Sequence, residues 1–103
     1  MQTHRRKRIE ILVEQRLLER VLAVIEAERR IHGYTVLPCL EGLGSSGPRQ
    51  ADPLTDLGSE AMVLAICGEE PARALLDQLL PLLDEIGGIA WLSDVEVVRA
   101  ERF

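Results

Sequence analysis

Aromatic side chains are scarce: the 103 residues hold one Trp, one Tyr and one Phe. A core must therefore be assembled from Leu, Ile, Val and Ala, and the aromatic platforms on which single-stranded nucleic acid stacks are missing. Positive charge is also short, with 12 Lys and Arg against 17 Asp and Glu and a net charge of −5. A duplex phosphate backbone has no general reason to bind such a chain. The exception is His4-Arg-Arg-Lys-Arg8, which reads as a solvated terminal tail rather than a nucleic-acid patch. Histidine and cysteine number two each. His4 and His32 lie far apart and outside any ligand-like cluster, so no metal site is expected. Cys39 and Cys67 have no close partner in sequence and read as reduced thiols of a cytosolic compartment. The apolar runs are too short and too interrupted by charge to cross a bilayer. Glu10 and Glu14 break any apolar stretch after the basic start, so no leader is expected and the chain reads as cytoplasmic.

Catalytic signatures are missing as well. No Ser or Cys sits in a nucleophile elbow, His32 stands at a helix end, and no Walker-type or dinucleotide-binding glycine motif occurs. Glu69 and Glu70 suit the positive end of a helix dipole better than paired acid–base work. The chain is not expected to be an enzyme, and no catalytic residue is assigned.

What is present is a regular succession of apolar periods. Arg8 to Glu14 alternates Ile9, Ile11 and Val13 with more polar neighbours, the period of a strand. From Leu17 to Ile31 the period becomes helical, with Leu17, Leu18, Val21, Leu22, Val24, Ile25 and Ile31 on one face and His32-Gly33 as the stop. Tyr34 to Leu40 reads as a second strand, and Pro38 places it on an edge or at a bulge because proline cannot donate to a ladder. Ala61 to Cys67 is nearly all apolar and reads as a strand buried on both faces. Gly68-Glu-Glu-Pro71 opens a second helix, which Gly87-Gly88 ends; Pro81 is expected to kink it or weaken its last turns. Ile89 to Arg99 supplies the last strand.

The order βαββαβ is that of the ferredoxin-like α+β fold, a four-stranded antiparallel sheet with two helices on one face. The face away from the helices is left bare. Leu12, Leu37, Ala90 and Leu92 are expected to point towards it, and a closed homo-oligomer is the economical way to bury them.

Between the second and third strands lies a connection of about fifteen residues, Ser45 to Ser59, long for so small a domain. Gly42-Leu-Gly-Ser-Ser-Gly47 lets the backbone approach a ligand and turn its N–H groups inward as an anion nest. Ser45 and Ser46 add hydroxyls and Arg49 a cation, while Arg99 and Arg102 near the C-terminal end offer fork-shaped donors to phosphate or carboxylate.

Gly33-Tyr-Thr-Val36, then Gly42-Leu-Gly44 and a long loop, resembles the P-II signal-transduction family, in which a Gly-x-Thr-Val strand runs through Gly-x-Gly into a mobile T-loop. Asp94 to Arg102 is similar to that family's last strand, whose two arginines contact nucleotide phosphates. The resemblance covers nearly the whole chain in element order. It implies one domain, residues 1–103, with a T-loop at about 43–59, and a homotrimer whose sheets face inward. Adenine nucleotides are then expected in the clefts between subunits. By position Thr35, Gly42 and Gly44 correspond to adenosine and loop-base contacts, Gly87 and Gly88 to a shortened B-loop, and Arg99 and Arg102 to phosphate contacts.

Departures from the family pattern narrow the branch. The B-loop lysine has no counterpart between Ile86 and Trp91, Glu60 stands where a lysine is expected, and the modified loop tyrosine is missing. Fewer cations favour ADP or AMP over ATP. The pattern is similar to the P-II-like branch linked to inorganic carbon, which implies bicarbonate as a second ligand, with Ser45, Ser46, Gly47 and Arg49 as its candidate donors. No cofactor is implied. The implied target is a transporter or carboxysome-related protein, and the implied location is cytoplasmic or carboxysome-associated. The competing readings are a nitrogen-regulatory P-II protein, a CutA-like metal-binding trimer, an ACT-like module and a purely structural oligomer.

Overall fold

Alternation of apolar residues builds the sheet in the computed structural model, which describes residues 1–39, 41–44, 47–50 and 59–103, with the backbone alone for residue 39, 41–44 and 47–50. Strand β1 (His4–Glu14) buries Ile9, Ile11 and Val13. Its antiparallel neighbour β5 (Glu60–Cys67) sets Ala65, Val63 and Ala61 directly beside them. Cross-strand neighbours share a face, so one side of the sheet becomes a continuous aliphatic floor. Helix α1 (Leu18–Ala27) lays Leu18, Val21, Leu22 and Ile25 on it, and α2 (Glu69–Ile86) adds Ala72, Leu75, Leu79 and Leu83. Strands β2 (Thr35–Cys39) and β6 (Ile89–Val97) complete the order β2-β5-β1-β6, antiparallel throughout, which is the ferredoxin-like arrangement. Pro38 does sit on an edge strand.

Several expectations need correction. The basic run His4–Arg8 is not a tail: it is the first half of β1, paired along β6. Lys7 stands opposite Asp94 and Arg5 opposite Glu96, and the Lys7 ammonium bonds the Asp94 carboxylate at 2.5 Å, holding that acid's pKa below its usual value. Backbone pairing with β6 places the run in the sheet, with the β6 acids set opposite its cations. Strand β5 buries alternate residues only, so Met62, Leu64 and Ile66 remain partly accessible on its other side. Its apolar continuity reflects two different surroundings, not double burial by the helices.

The bare face is also composed differently. Leu92 pairs with Ile9 and Ala90 with Ile11, and both pack against the helix-side core. Ile89 and Trp91, one residue out of step, occupy the open face with Leu12, Met62 and Leu37. A one-residue shift of register moves every side chain across the sheet. Within this face Trp91 Nε1 donates to Glu10 Oε1 at 3.2 Å, and Arg8 Nε lies 3.0 Å from the same oxygen.

Helix α1 stops at Ala27, short of the expected Ile31, because Glu28 leaves the helical region and turns inward. Its carboxylate, on a residue only 8% exposed, accepts the Arg30 backbone N–H at 3.2 Å and the Arg30 guanidinium through Nε at 2.8 Å and Nη2 at 3.0 Å. These charge-assisted bonds lower the Glu28 pKa from 4.5 to about 2. The unfolded carboxyl is ionised above 4.5 and the folded one above about 2, so the pair favours folding at neutral pH and loses that advantage as pH falls from 4.5 towards 2. Melting temperature followed across this acid range should fall more steeply for the natural chain than for Glu28→Gln. Parallel curves would remove Glu28 from the acid response.

Helix α2 runs unbroken as helix through Pro81 and ends at Gly87, whose φ of 79° is the left-handed conformation of a glycine cap. The long connection after β2 is not irregular throughout. Strands β3 (Glu41–Gly44) and β4 (Gly47–Gln50) form a two-stranded ribbon in which Gly42 pairs with Arg49 and Gly44 with Gly47. The middle of the anion nest expected over Gly42 to Gly47, Ser45 and Ser46, falls outside the described residues. Leu40, Ser45, Ser46 and 51–58 lie outside the described residues.

Candidate functional site

The end of β6 determines where the C-terminal residues go. Expected to remain strand through Arg99, the chain instead leaves β6 after Val97, and Arg99 adopts φ 57° and ψ 57°. For a residue with a Cβ this left-handed conformation costs about 1–2 kcal/mol, and it reverses the backbone. A short 3-10 turn, Ala100–Arg102, follows. Arg6 Nη2 donates to the Ala100 carbonyl at 3.4 Å, tying the turn back over β1. The last residues thereby reach the opposite side of the sheet from β6, beside β5 and β2.

There they close a cleft of about 590 Å³, within the range of small-molecule sites. Its lining includes Tyr34, Thr35, Leu64 and Ile66 together with Glu101, Arg102 and Phe103. The Tyr34 hydroxyl donates to Glu26 at 2.9 Å, which fixes the ring and raises the phenol pKa. Arg99 points elsewhere: its side chain is 70% exposed and its Nε lies 3.8 Å from Glu101 Oε1. So exposed a pair contributes little.

Of the residues singled out from sequence, Thr35 and Arg102 meet in this cleft. Gly87 and Gly88 do not. They precede β6, at the sheet edge opposite β2, three strand spacings or roughly 14 Å away. Gly88 has its own packing reason, since a Cβ there would lie 2.7 Å from Val13 Cγ1 and 2.9 Å from Leu83 Cδ2. Arg99 follows the far end of the nine-residue β6, whose first and last residues stand roughly 26 Å apart. Gly42, Gly44, Gly47 and Arg49 belong to the β3–β4 ribbon beyond the other end of β2. The proposed nucleotide ligands therefore divide between opposite edges of one sheet.

Sequence reasoning missed Tyr34, Glu101 and Phe103. Rarity was the signal for Tyr34 and Phe103, since two of the chain's three aromatic residues line this one cleft, whereas Glu101 carried none. Among the described residues, no three His, Cys, Asp or Glu side chains come together as metal ligands, and no helix is long and apolar enough to cross a membrane. Cys67 is fully buried on β5, and burial raises its thiol pKa, the opposite of what a reactive cysteine needs.

The sequence model described as "Nitrogen regulatory protein P-II" matches residues 6–102. No curated protein matches the chain. Among solved structures, CPII, a nitrogen regulatory PII-like protein from Thiomonas intermedia K12 bound to ADP, AMP and bicarbonate, is 24% identical with a TM-score of 0.88, over 99% of this chain and 96% of that one. The same protein bound to ADP and bicarbonate gives 25% identity and a TM-score of 0.86, over 99% and 97%. A putative PII-like signaling protein from Thermus thermophilus is 27% identical with a TM-score of 0.83, over 100% and 99%.

Proposed function

The chain belongs to the nitrogen regulatory P-II family, and from this membership we propose that it is a non-enzymatic regulator binding ADP or AMP together with bicarbonate in the clefts between subunits of a homotrimer. The observation that carries this reading is the meeting of Thr35 and Arg102, distant in sequence, in one cleft of nucleotide size. A similar fold in Thiomonas holds ADP, AMP and bicarbonate, which supports the choice of ligands.

The division of candidate ligands between two sheet edges supports the assembly. Gly87 and Gly88 on the β6 edge can serve the Thr35–Arg102 cleft only when a second copy supplies them. Head-to-tail contact of this kind closes into a ring when the rotation permits. The open face, with Leu37 49% and Ile89 56% exposed, then lines the centre of the ring and is removed from water. In this arrangement Arg102 and Arg99 hold phosphate, Thr35 the ribose, and Gly42 and Gly44 the base of the 43–59 segment. Ser45, Ser46, Gly47 and Arg49 supply donors for bicarbonate, a small planar anion that backbone N–H and hydroxyl groups suit. Ligand binding at this segment is then read by a target protein of inorganic carbon metabolism, a transporter or carboxysome component.

Titration calorimetry tests the reading directly. ADP should bind, and bicarbonate should bind more tightly with ADP present. Linkage requires ADP to gain by the same factor from bicarbonate. Absence of both binding and mutual enhancement would overturn the proposal.

A further inference from the structure

Two aromatic rings in a chain that has only three face the same cleft. Tyr34 precedes β2, and its ring is held by the hydroxyl bond to Glu26. Phe103 reaches the cleft because Arg99 reverses the chain and the Phe103 backbone N–H donates to the Ala100 carbonyl at 3.1 Å. Leu64 and Ile66 add aliphatic lining, while the titratable rim contains His32, one acid, Glu101, and one cation, Arg102. That rim is close to charge balance. A flat, weakly polar heterocycle gains by leaving water against such walls, and Arg102 is left for the phosphate end.

We propose that Phe103 and Tyr34 are the base-recognition residues of the adenylate cleft, stacking against the purine while Arg102 meets the first phosphate. This rests on the nucleotide-binding reading above and adds what selects the base. Aromatic stacking on a nucleobase supports affinity differences of about 5- to 150-fold on truncation of the ring.

The test uses the full chain with ADP and its fluorescent etheno-adenine analogue, whose emission is quenched by stacking. Phe103→Ala should weaken ADP at least fivefold and relieve the quenching, and Phe103→Trp should restore both. Phe103→Leu, apolar but without a ring, should behave like Phe103→Ala. Tyr34→Leu should likewise weaken ADP. Inorganic pyrophosphate, which lacks a base, should bind all these variants as it binds the natural chain. If the natural chain binds ADP and Phe103→Ala binds it equally well with quenching intact, base recognition by Phe103 is refuted while the nucleotide reading stands. If the natural chain binds no adenylate, both fall together.

Discussion

Ile89→Glu should leave the protomer folded and abolish the proposed trimer, converting the sedimentation pattern to that of a monomer at micromolar concentration. Ile89 begins β6 on the face away from the helices and is 56% exposed in the isolated chain, so a carboxylate there costs the protomer little. In the proposed assembly the same position is buried, and the symmetry introduces one new charge from every copy. An unpaired buried charge costs several kcal/mol even after relaxation, and repulsion among the copies adds to it. That exceeds what the loss of one apolar contact would do. Leu80→Glu is the matched control: Leu80 is 58% exposed on α2, away from the open face, and its replacement should leave assembly intact. Because the ligand groups are split between edges, the Ile89→Glu monomer should also lose ADP binding although no proposed ligand has been touched. A variant that stays trimeric would remove the open face from the interface. A monomer with full ADP affinity would place the whole site within one chain.

Arg102→Ala should weaken ADP by about 1.5–3 kcal/mol, the contribution of a hydrogen bond to a charged group, or roughly tenfold to more than a hundredfold. Stability should change little, since Arg102 is exposed in a short terminal turn. Arg102→Lys should recover only part of the affinity, because an ammonium cannot reproduce the two parallel bonds of a guanidinium on phosphate. High salt should weaken ADP binding more for the natural chain than for the alanine variant. Arg99 needs a different replacement. Its left-handed backbone is what returns the chain to the cleft, and alanine would keep the strain while removing the side chain. Arg99→Gly retains the turn without strain and isolates the guanidinium. An affinity loss similar to that of Arg102→Ala would assign Arg99 to phosphate from a neighbouring copy. Unchanged affinity would return it to solvated surface.

The legibility of this chain differs by scale. Strand and helix identity can be read because apolar periods of two and of 3.6 are local properties, as Ile9-x-Ile11-x-Val13 and the Leu75-Leu79-Leu83 ladder illustrate. Boundaries fail wherever a distant partner sets them. His4–Arg8 has the composition of a tail, yet it pairs along β6, where Asp94 and Glu96 stand opposite Lys7 and Arg5. Ala90 and Leu92 have the pattern of open-face residues, yet their register with Ile11 and Ile9 places them under the helices. The apolar period reaches Ile31, but the helix ends early because Glu28 turns inward to bond Arg30.

The candidate site follows the same division. Gly-x-Thr-Val and the terminal arginines can be matched to a family by spacing alone, and the family model covers residues 6–102. Element order, the aliphatic core and the residue types available to bind an anion follow from periodicity and composition, and so were legible before any fold. Which of those residues meet was not. Thr35 and Arg102 share a cleft, Gly87 and Gly88 stand at the other edge, and Phe103 and Tyr34 wall the site. These placements come from folding, because strand register and the reversal at Arg99 bring together positions that no local pattern connects.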